Sequence, residues 1–292
     1  MPTSKCCICG SEKSEVLHTI SKFKKIIWID KCSVCGLIFQ NPQPVSIDKF
    51  YSEGYYTGKN EYSYIDERED MFLRNIENNR RVLNLSKFVG KDNFSLLDIG
   101  CSFGALVKRA ISLGIDAHGI DVSSYISSHE NSQIQGDVCE KIDGRYDAIT
   151  MVEVIEHLKN PKDALVNCYH ALNDRGIILI QTTNMDSLVR KYEGKESRYF
   201  LPGHLFYFSL NTLKRLLMKT GFDIEIVYYG HETGFIPAVI RKSIANMGRY
   251  DLPDCLILLL TIILHICSKI VIFGNPIHNG MVVIARKRSS NG

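Results

Sequence analysis

The stretch Leu96-Leu97-Asp98-Ile99-Gly100-Cys101-Ser102-Phe103-Gly104-Ala105 restricts the fold more than any other part of the chain. A short apolar run of strand character enters a glycine turn and passes at once into Ala105–Leu113, which reads as a helix. That order opens a βα unit, and the rhythm continues downstream. Ala117–Ile120, Tyr146–Val152, Ile177–Gln181, Ile224–Tyr229 and Met281–Ala285 read as strands. Helices are expected over Pro161–Leu172, opened by its proline, and Leu210–Thr220, stopped by Gly221. Strands alternating with helices build a parallel sheet covered on both faces, so an α/β domain is expected over residues 66–290. Its first element, residues 66–90, reads as a charged helix with Phe72, Ile76 and Leu83 along one buried stripe.

Composition narrows the function classes. Hydrophobic residues at 45% and charged residues at 23% exclude wholesale disorder. With 35 Lys+Arg against 32 Asp+Glu the formal charge is only +3, so no nucleic-acid partner is expected.

In an open α/β sheet, ligands bind outside the carboxyl ends of the strands, where this glycine turn falls. A dinucleotide fingerprint requires glycine at the first, third and sixth positions. Here those positions hold Gly100, Ser102 and Ala105, a partial match. Asp98, at the strand end, would repel a pyrophosphate and favour a cationic ligand. S-adenosylmethionine, with its sulfonium and ammonium, suits that loop better than NAD. Asp121 follows the second strand, 21 residues after Gly100, where a carboxylate accepts ribose hydroxyls. Gly136-Asp137-Val138 supplies a further acid after a third strand, placed for the adenine end. Each residue alone is ordinary turn or cap chemistry; their order points to a nucleoside site.

Three segments carry a family resemblance. Asp98 to Gly104, Gly119-Ile120-Asp121, and Tyr146 to Leu158 together resemble class I S-adenosylmethionine-dependent methyltransferases, nearest the ubiquinone-biosynthesis O-methyltransferase branch. Leu172–Ile177 and Pro202–Ser209 fit the same pattern, whereas Ser102 stands where that family often has glycine. The resemblance implies a Rossmann-like, doubly wound sheet of seven strands, the last antiparallel and formed by Met281–Ala285. It implies that Asp98 and the backbone of Gly100, Cys101, Ser102 and Gly104 hold the methionine end. Asp121 and Val122 would meet the ribose, Asp137 and Val138 the adenine, and Val152 and Glu153 the sulfonium. The acceptor would be a small molecule methylated on oxygen: a sugar, a quinone-like ring or a lipid-linked precursor. Such a transfer needs alignment and, for a hydroxyl, a base near neutral pH. His157 and His204 are the candidates, and packing or capping roles stand open for both. Glu156 reads as an acid in the first turn of the following helix.

The first 35 residues contain five of the ten cysteines. Cys6-Cys7-Ile8-Cys9-Gly10 and Cys32-Ser33-Val34-Cys35-Gly36 form two Cys-x-x-Cys-Gly knuckles separated by 22 residues. Cys6, Cys9, Cys32 and Cys35 would complete a closed tetrahedral zinc site, structural because no coordination position stays open. Cys7 could replace Cys6 only by breaking the two-residue spacing, and a redox dithiol is the rival reading. Several bacterial methyltransferases acting on sugars or cell-surface precursors are similar here, with a zinc ribbon followed by a segment like Cys35 to Tyr56. The resemblance implies a ribbon over residues 1–45, an aromatic connector over 46–65, and Tyr55 and Tyr56 near the active-site cleft.

Residues 231–278 read as a helical, apolar insertion before the last strand. Cys255–Phe273 is broken only by Thr261, His265, Ser268 and Lys269, and basic residues precede it at Arg241, Lys242 and Arg249. One bilayer crossing would strand the last strand on the wrong side. Residues 235–273 are therefore expected to pack on the domain, pair with a second copy, or lie on a membrane surface. The N-terminus begins with polar residues and thiols rather than a signal peptide, so a cytoplasmic protein is expected, peripheral on the inner membrane face in the case where residues 235–273 lie on a membrane. A non-catalytic binding module and an NAD-dependent oxidoreductase are the rival functions.

Overall fold

The computed structural model describes residues 5–22, 25–44, 47, 50–57, 59, 71–129, 133–197, 199–230, 270–272 and 275–289. The cysteine-rich end gives strands β1 (Ser14–Lys22), β2 (Lys25–Cys32) and β3 (Ile38–Gln40), followed by helices α1 (Glu53–Tyr56) and α2 (Met71–Val89). The alternating region contributes β4 (Ser95–Ile99), α3 (Ala105–Ser112), β5 (Asp116–Asp121), α4 (Ser124–His129), β6 (Gln133–Gln135), β7 (Tyr146–Val152), α5 (Pro161–Ala171) and β8 (Leu172–Thr183). After it come α6 (Leu188–Glu193), β9 (Phe206–Tyr207), α7 (Leu210–Lys219), β10 (Phe222–Tyr229), β11 (Val271–Ile272), β12 (Asn275–Pro276) and β13 (Gly280–Lys287).

Seven strands form one sheet in the order β10-β13-β8-β7-β4-β5-β6. Pairs β8–β7, β7–β4, β4–β5 and β5–β6 are parallel, while β13 runs antiparallel to both β8 and β10. The α/β expectation and the antiparallel last strand hold. Strand periodicity divides the core by face. Leu96, Ile177, Leu179, Val282 and Ile284 pack with α2 and α3 residues such as Leu85 and Val107. Their neighbours Leu97, Ile178, Ile180, Met281 and Val283 point the other way, to Leu165 and Cys168 of α5 and Leu213 and Leu217 of α7.

The α2 stripe differs from expectation. Leu83 is 59% exposed, whereas Val82 and Leu85 are buried. Buried positions 78, 82 and 85 recur at three and four residues, so Leu83 falls about 100° off that face. The side chains of Phe72 and Ile76, and residues 66–70 at the start of the expected helix, lie outside the described set.

A second sheet, β1-β2-β3-β9, is antiparallel throughout and had no sequence signal of its own. Its last strand comes from distant residues: Phe39 pairs with Phe206 and Ile38 with Tyr207. Cys6, Ile8, Leu37 and Phe39 share a core with Leu213 and Leu217, and Lys219 Nζ donates to Ile8 O at 2.8 Å. The cysteine-rich segment is thus packed onto the α/β sheet. Residues 231–269, which hold most of the apolar stretch, lie outside the described residues. Among the described residues no helix is long and apolar enough to cross a membrane.

Leu85→Ala should lower stability by about 2–5 kcal/mol, and Leu83→Ala should stay within about 0.5 kcal/mol. Urea denaturation of both variants checks which residue faces the sheet.

Candidate active site and metal centre

β4 ends at Ile99, and the chain turns at Gly100 with φ 70°. A side chain there would put its Cβ 2.4 Å from Val154 Cγ2, so the glycine admits the neighbouring β7 loop as well as any ligand. The Gly100 and Cys101 amides donate to Ile120 O at 2.8 and 3.3 Å, tying the turn to β5. Ser102 takes a positive φ of 49°, and Gly104, at 74°, caps α3.

Asp121 is 5% exposed and already well supplied with donors. Its Oδ2 accepts the Ser102 amide at 3.0 Å; its Oδ1 accepts the Ser123 amide at 2.9 Å and the Tyr56 hydroxyl at 3.1 Å. Burial raises its pKa, opposed by these bonds. Asp121 thus shapes the glycine loop, and three donors occupy most of the roughly four acceptor positions of a carboxylate. Asp98 sits beneath the turn, 6% exposed, accepting Thr150 Oγ1 at 2.6 Å.

At the carboxyl ends of β4, β5, β6 and β7 lies a cavity of about 230 Å³. Gly100, Ser102, Asp121, Val122, Asp137, Val138, Val152, Glu153 and His157 line it, all nominated from sequence. Asp98, Cys101, Gly104 and His204 are not among its lining residues. Cys101 is turned into the helix–sheet core instead. The connector supplies another wall: Ile47, Tyr51, Tyr55 and Tyr56. Tyr56 packs with Phe103 and Ile126, and Tyr51 sets its ring 6.0 Å from that of His157. Tyr51 and Ile47 carried no sequence signal beyond the aromatic character of the connector. Glu153, at φ 56°, accepts Gln181 Nε2 at 3.2 Å, and Gln181 Oε1 accepts Arg81 Nη2 at 3.2 Å. A side chain of α2 thereby fixes an acid at the cavity through one intermediary.

Glu156 does not occupy the first turn of α5, which begins at Pro161. It is pinned in the preceding turn because its carbonyl accepts the Leu205 and Phe206 amides at 2.8 and 3.1 Å. Its carboxyl group is 2% exposed with neither oxygen hydrogen-bonded, and burial holds its pKa well above the usual range. His157 Nδ1 lies 2.9 Å from Gly203 O; a carbonyl only accepts, so Nδ1 carries the proton and Nε2 is the free acceptor. Burial pulls the His157 pKa down to about 4. His204 stands behind it, rings 4.6 Å apart and edge to face, and burial also keeps it neutral. Donor atoms of Glu156, His157 and His204 lie within 4.8 Å of one another, near enough for a shared cation.

The four knuckle sulfurs likewise lie within 4.8 Å of one another. Cys6 and Cys35 approach to 3.4 Å and Cys9 and Cys32 to 3.5 Å, without a disulfide. Four thiolates about 2.3 Å from a tetrahedral zinc ion would sit about 3.8 Å apart, so the arrangement fits such an ion. Burial pushes the Cys6 thiol up and Cys35 up to about 11. At Cys32 burial is outweighed by the Cys35 and Val34 amides, which bring it down to about 7. Gly10 and Gly36, at φ 74° and 79°, close the two knuckle turns.

Sequence comparison places these features among known proteins. The family described as "Methyltransferase domain" matches residues 56–227. A ubiquinone biosynthesis O-methyltransferase of Pseudomonas savastanoi pv. phaseolicola is 26% identical over 117 residues, 36% of this chain and 50% of that protein. The mitochondrial ubiquinone biosynthesis O-methyltransferase of Saccharomyces cerevisiae is 28% identical over 118 residues, 35% of this chain and 37% of that protein. The chain therefore spans half or less of the length of these relatives. A SAM dependent methyltransferase from Archaeoglobus fulgidus shares the fold with TM-score 0.50 and 21% identity, over 76% of this chain and 97% of that one. The plantazolicin methyltransferase BpumL, solved in complex with SAH, does so with TM-score 0.51 and 19% identity, over 77% and 87%. With the family match spanning more than half of its residues, on a seven-stranded sheet of mixed orientation, the chain belongs to the methyltransferase-domain family.

Proposed function

We propose that the protein transfers a methyl group from S-adenosylmethionine to an oxygen of a small-molecule acceptor. The carrying observation is the charge of the cavity at the carboxyl rim. Three carboxylates, Asp121, Asp137 and Glu153, line it against one lysine, Lys159. Such walls suit a sulfonium nucleoside and disfavour the pyrophosphate of NAD. The relatives named as ubiquinone biosynthesis O-methyltransferases support oxygen as the acceptor atom, on a quinone-like ring; a sugar or a lipid-linked precursor is the alternative acceptor.

In this reading Asp121 keeps the glycine loop in shape and meets the ribose, with Val122 beside it. Asp137 and Val138 flank the adenine, and Val152 and Glu153 stand near the sulfonium. The Gly100–Gly104 turn, carried on β4 above Asp98, receives the methionine end. S-adenosylmethionine supplies the methyl on a positively charged sulfur, which keeps the bonding electrons when the acceptor oxygen takes the carbon. His157 Nε2 takes the hydroxyl proton. A base depressed to about 4 is neutral at pH 7 and receives that proton late, as the new bond makes the oxygen acidic. Tyr51, Tyr55 and Tyr56 exclude water from the same space. Cys6, Cys9, Cys32 and Cys35 hold a structural zinc ion, which ties the two knuckles together and through them the connector. Cysteines that bind a metal rather than pair as disulfides fit a reducing compartment.

Isothermal titration should detect S-adenosylhomocysteine binding and none of NADH; binding of NADH alone would sink the assignment. Asp121→Ala should weaken S-adenosylhomocysteine at least tenfold, about 1.4 kcal/mol, and unchanged affinity would remove Asp121 from the site. His157 is neutral when folded and titrates near 6.5 when unfolded. Its contribution is complete above about pH 6.5 and is lost as pH falls towards 4. Between pH 7 and pH 5 the loss of stability should therefore be larger in the native chain than in His157→Gln by about 1–2 kcal/mol, the His204 share being common to both. Elemental analysis should find one zinc per chain, and chelation should lower the melting temperature; a metal-free chain of equal stability contradicts the centre.

A further inference from the structure

The Tyr56 hydroxyl stands at the end of the cavity assigned to the ribose, bonded to the acid that the ribose would use. Asp121 Oδ1 holds two donors, the Ser123 amide at 2.9 Å and the Tyr56 hydroxyl at 3.1 Å, whereas Oδ2 holds the Ser102 amide at 3.0 Å. A carboxylate oxygen accepts about two hydrogen bonds, so Oδ1 is full and one position stays open on Oδ2. The three donors are held differently. Ser102 belongs to the glycine loop, whose Gly100 and Cys101 amides are tied to Ile120 O. Ser123 follows Asp121 by two residues, and its hydroxyl donates to Tyr51 O at 3.1 Å. Of the three, Tyr56 alone donates through a side chain. Its ring belongs to a small cluster with Phe103 and Ile126, apart from the two cores that cover the large sheet. Tyr55 and Phe103 meet that ring edge to face at 5.2 and 6.2 Å, and Tyr125 stacks on it at 6.3 Å.

We infer that the Tyr56 hydroxyl stands in for a ribose hydroxyl, is displaced when the nucleoside binds, and so sets the affinity and hydroxyl selectivity of this site. The two neighbouring hydroxyls of a ribose are spaced to donate one to each oxygen of a carboxylate. Oδ2 has room for one of them; Oδ1 admits the other only when a donor leaves. The two amides cannot leave without unmaking the glycine loop and the start of α4, so Tyr56 gives way. A nucleoside with both hydroxyls therefore makes two bonds and breaks one. A nucleoside with a single hydroxyl makes one and breaks none. Tyr56 thus narrows the difference between these ligands, and it keeps a carboxylate only 5% exposed supplied with donors while the cavity is empty of nucleoside. The inference rests on the reading of this cavity as an S-adenosyl nucleoside site.

The test is titration calorimetry of the full chain with S-adenosylhomocysteine and with its 2′-deoxy analogue. In the native chain the two affinities should lie within about threefold of one another. Tyr56→Phe keeps the ring and its packing, and its melting temperature verifies the fold. This variant should bind S-adenosylhomocysteine at least about fivefold more tightly than the native chain, while the analogue changes by less than about twofold. Unchanged or weaker binding of S-adenosylhomocysteine by Tyr56→Phe overturns the inference, because the hydroxyl then supports the bound nucleoside or never meets it. Should the variant not fold, the native chain decides alone: a loss of more than about threefold for the analogue means that both hydroxyls bind with no donor displaced. Absence of any S-adenosylhomocysteine binding to the native chain is a different failure, which removes the methyl-transfer reading and this inference together.

Discussion

The bare face of Gly100 holding the Val154 side chain is the contact on which the rest of the site depends. It lets the loop after β7 press against the turn after β4, so that two neighbouring strand ends share one cavity. Any side chain at Gly100 would force those loops apart, and the positive φ would add strain of its own. Asp121 completes the arrangement from the next strand by holding the Ser102 amide. A small set of backbone geometries therefore determines where three acidic side chains converge.

Burial sets the acid–base character of the adjoining corner. His157, His204 and Glu156 are packed where charge is poorly solvated, so each rests in its neutral form. Two neutral imidazoles and an uncharged carboxyl group can accept, donate or share a proton without a preceding change of charge. The tyrosines of the connector contribute to this dryness. They are anchored by their own contacts with Phe103, Ile126 and Asp121, while the knuckle cluster is seated separately on α7. The cavity, the histidine corner and the cysteine cluster thus lie in one packed body, although Cys6 and His204 stand almost two hundred residues apart in the chain.

Much of this was legible in the sequence where a local rule applies. The strand–glycine–helix order, the alternation of elements and the spacing of Cys6, Cys9, Cys32 and Cys35 each express a short-range constraint. The cavity collects nine of the thirteen nominated cofactor and base positions because these end strands or open the loops that follow them. Failures fell where a contact is long-range or an angle decides. Leu83 and Leu85 are equally apolar, yet two residues of helical rotation put one in water and one in the core. Strand β9 is two residues long and exists because Phe39 lies opposite Phe206. Glu156 looked like a helix acid because nothing nearby in sequence announces the amides of Leu205 and Phe206.

By itself the sequence determined the kind of fold, the sign of charge around the glycine turn and the ligand chemistry of the two knuckles. Periodicity, glycine placement and cysteine spacing act over a few residues, and such signals survive in one dimension. Only the tertiary structure decided that Tyr56 shares Asp121, that His157 rather than His204 reaches the cavity, and that the cysteine segment leans on α7. Those outcomes depend on which distant surfaces exclude water together, and burial is a property of the packed chain rather than of any residue in it.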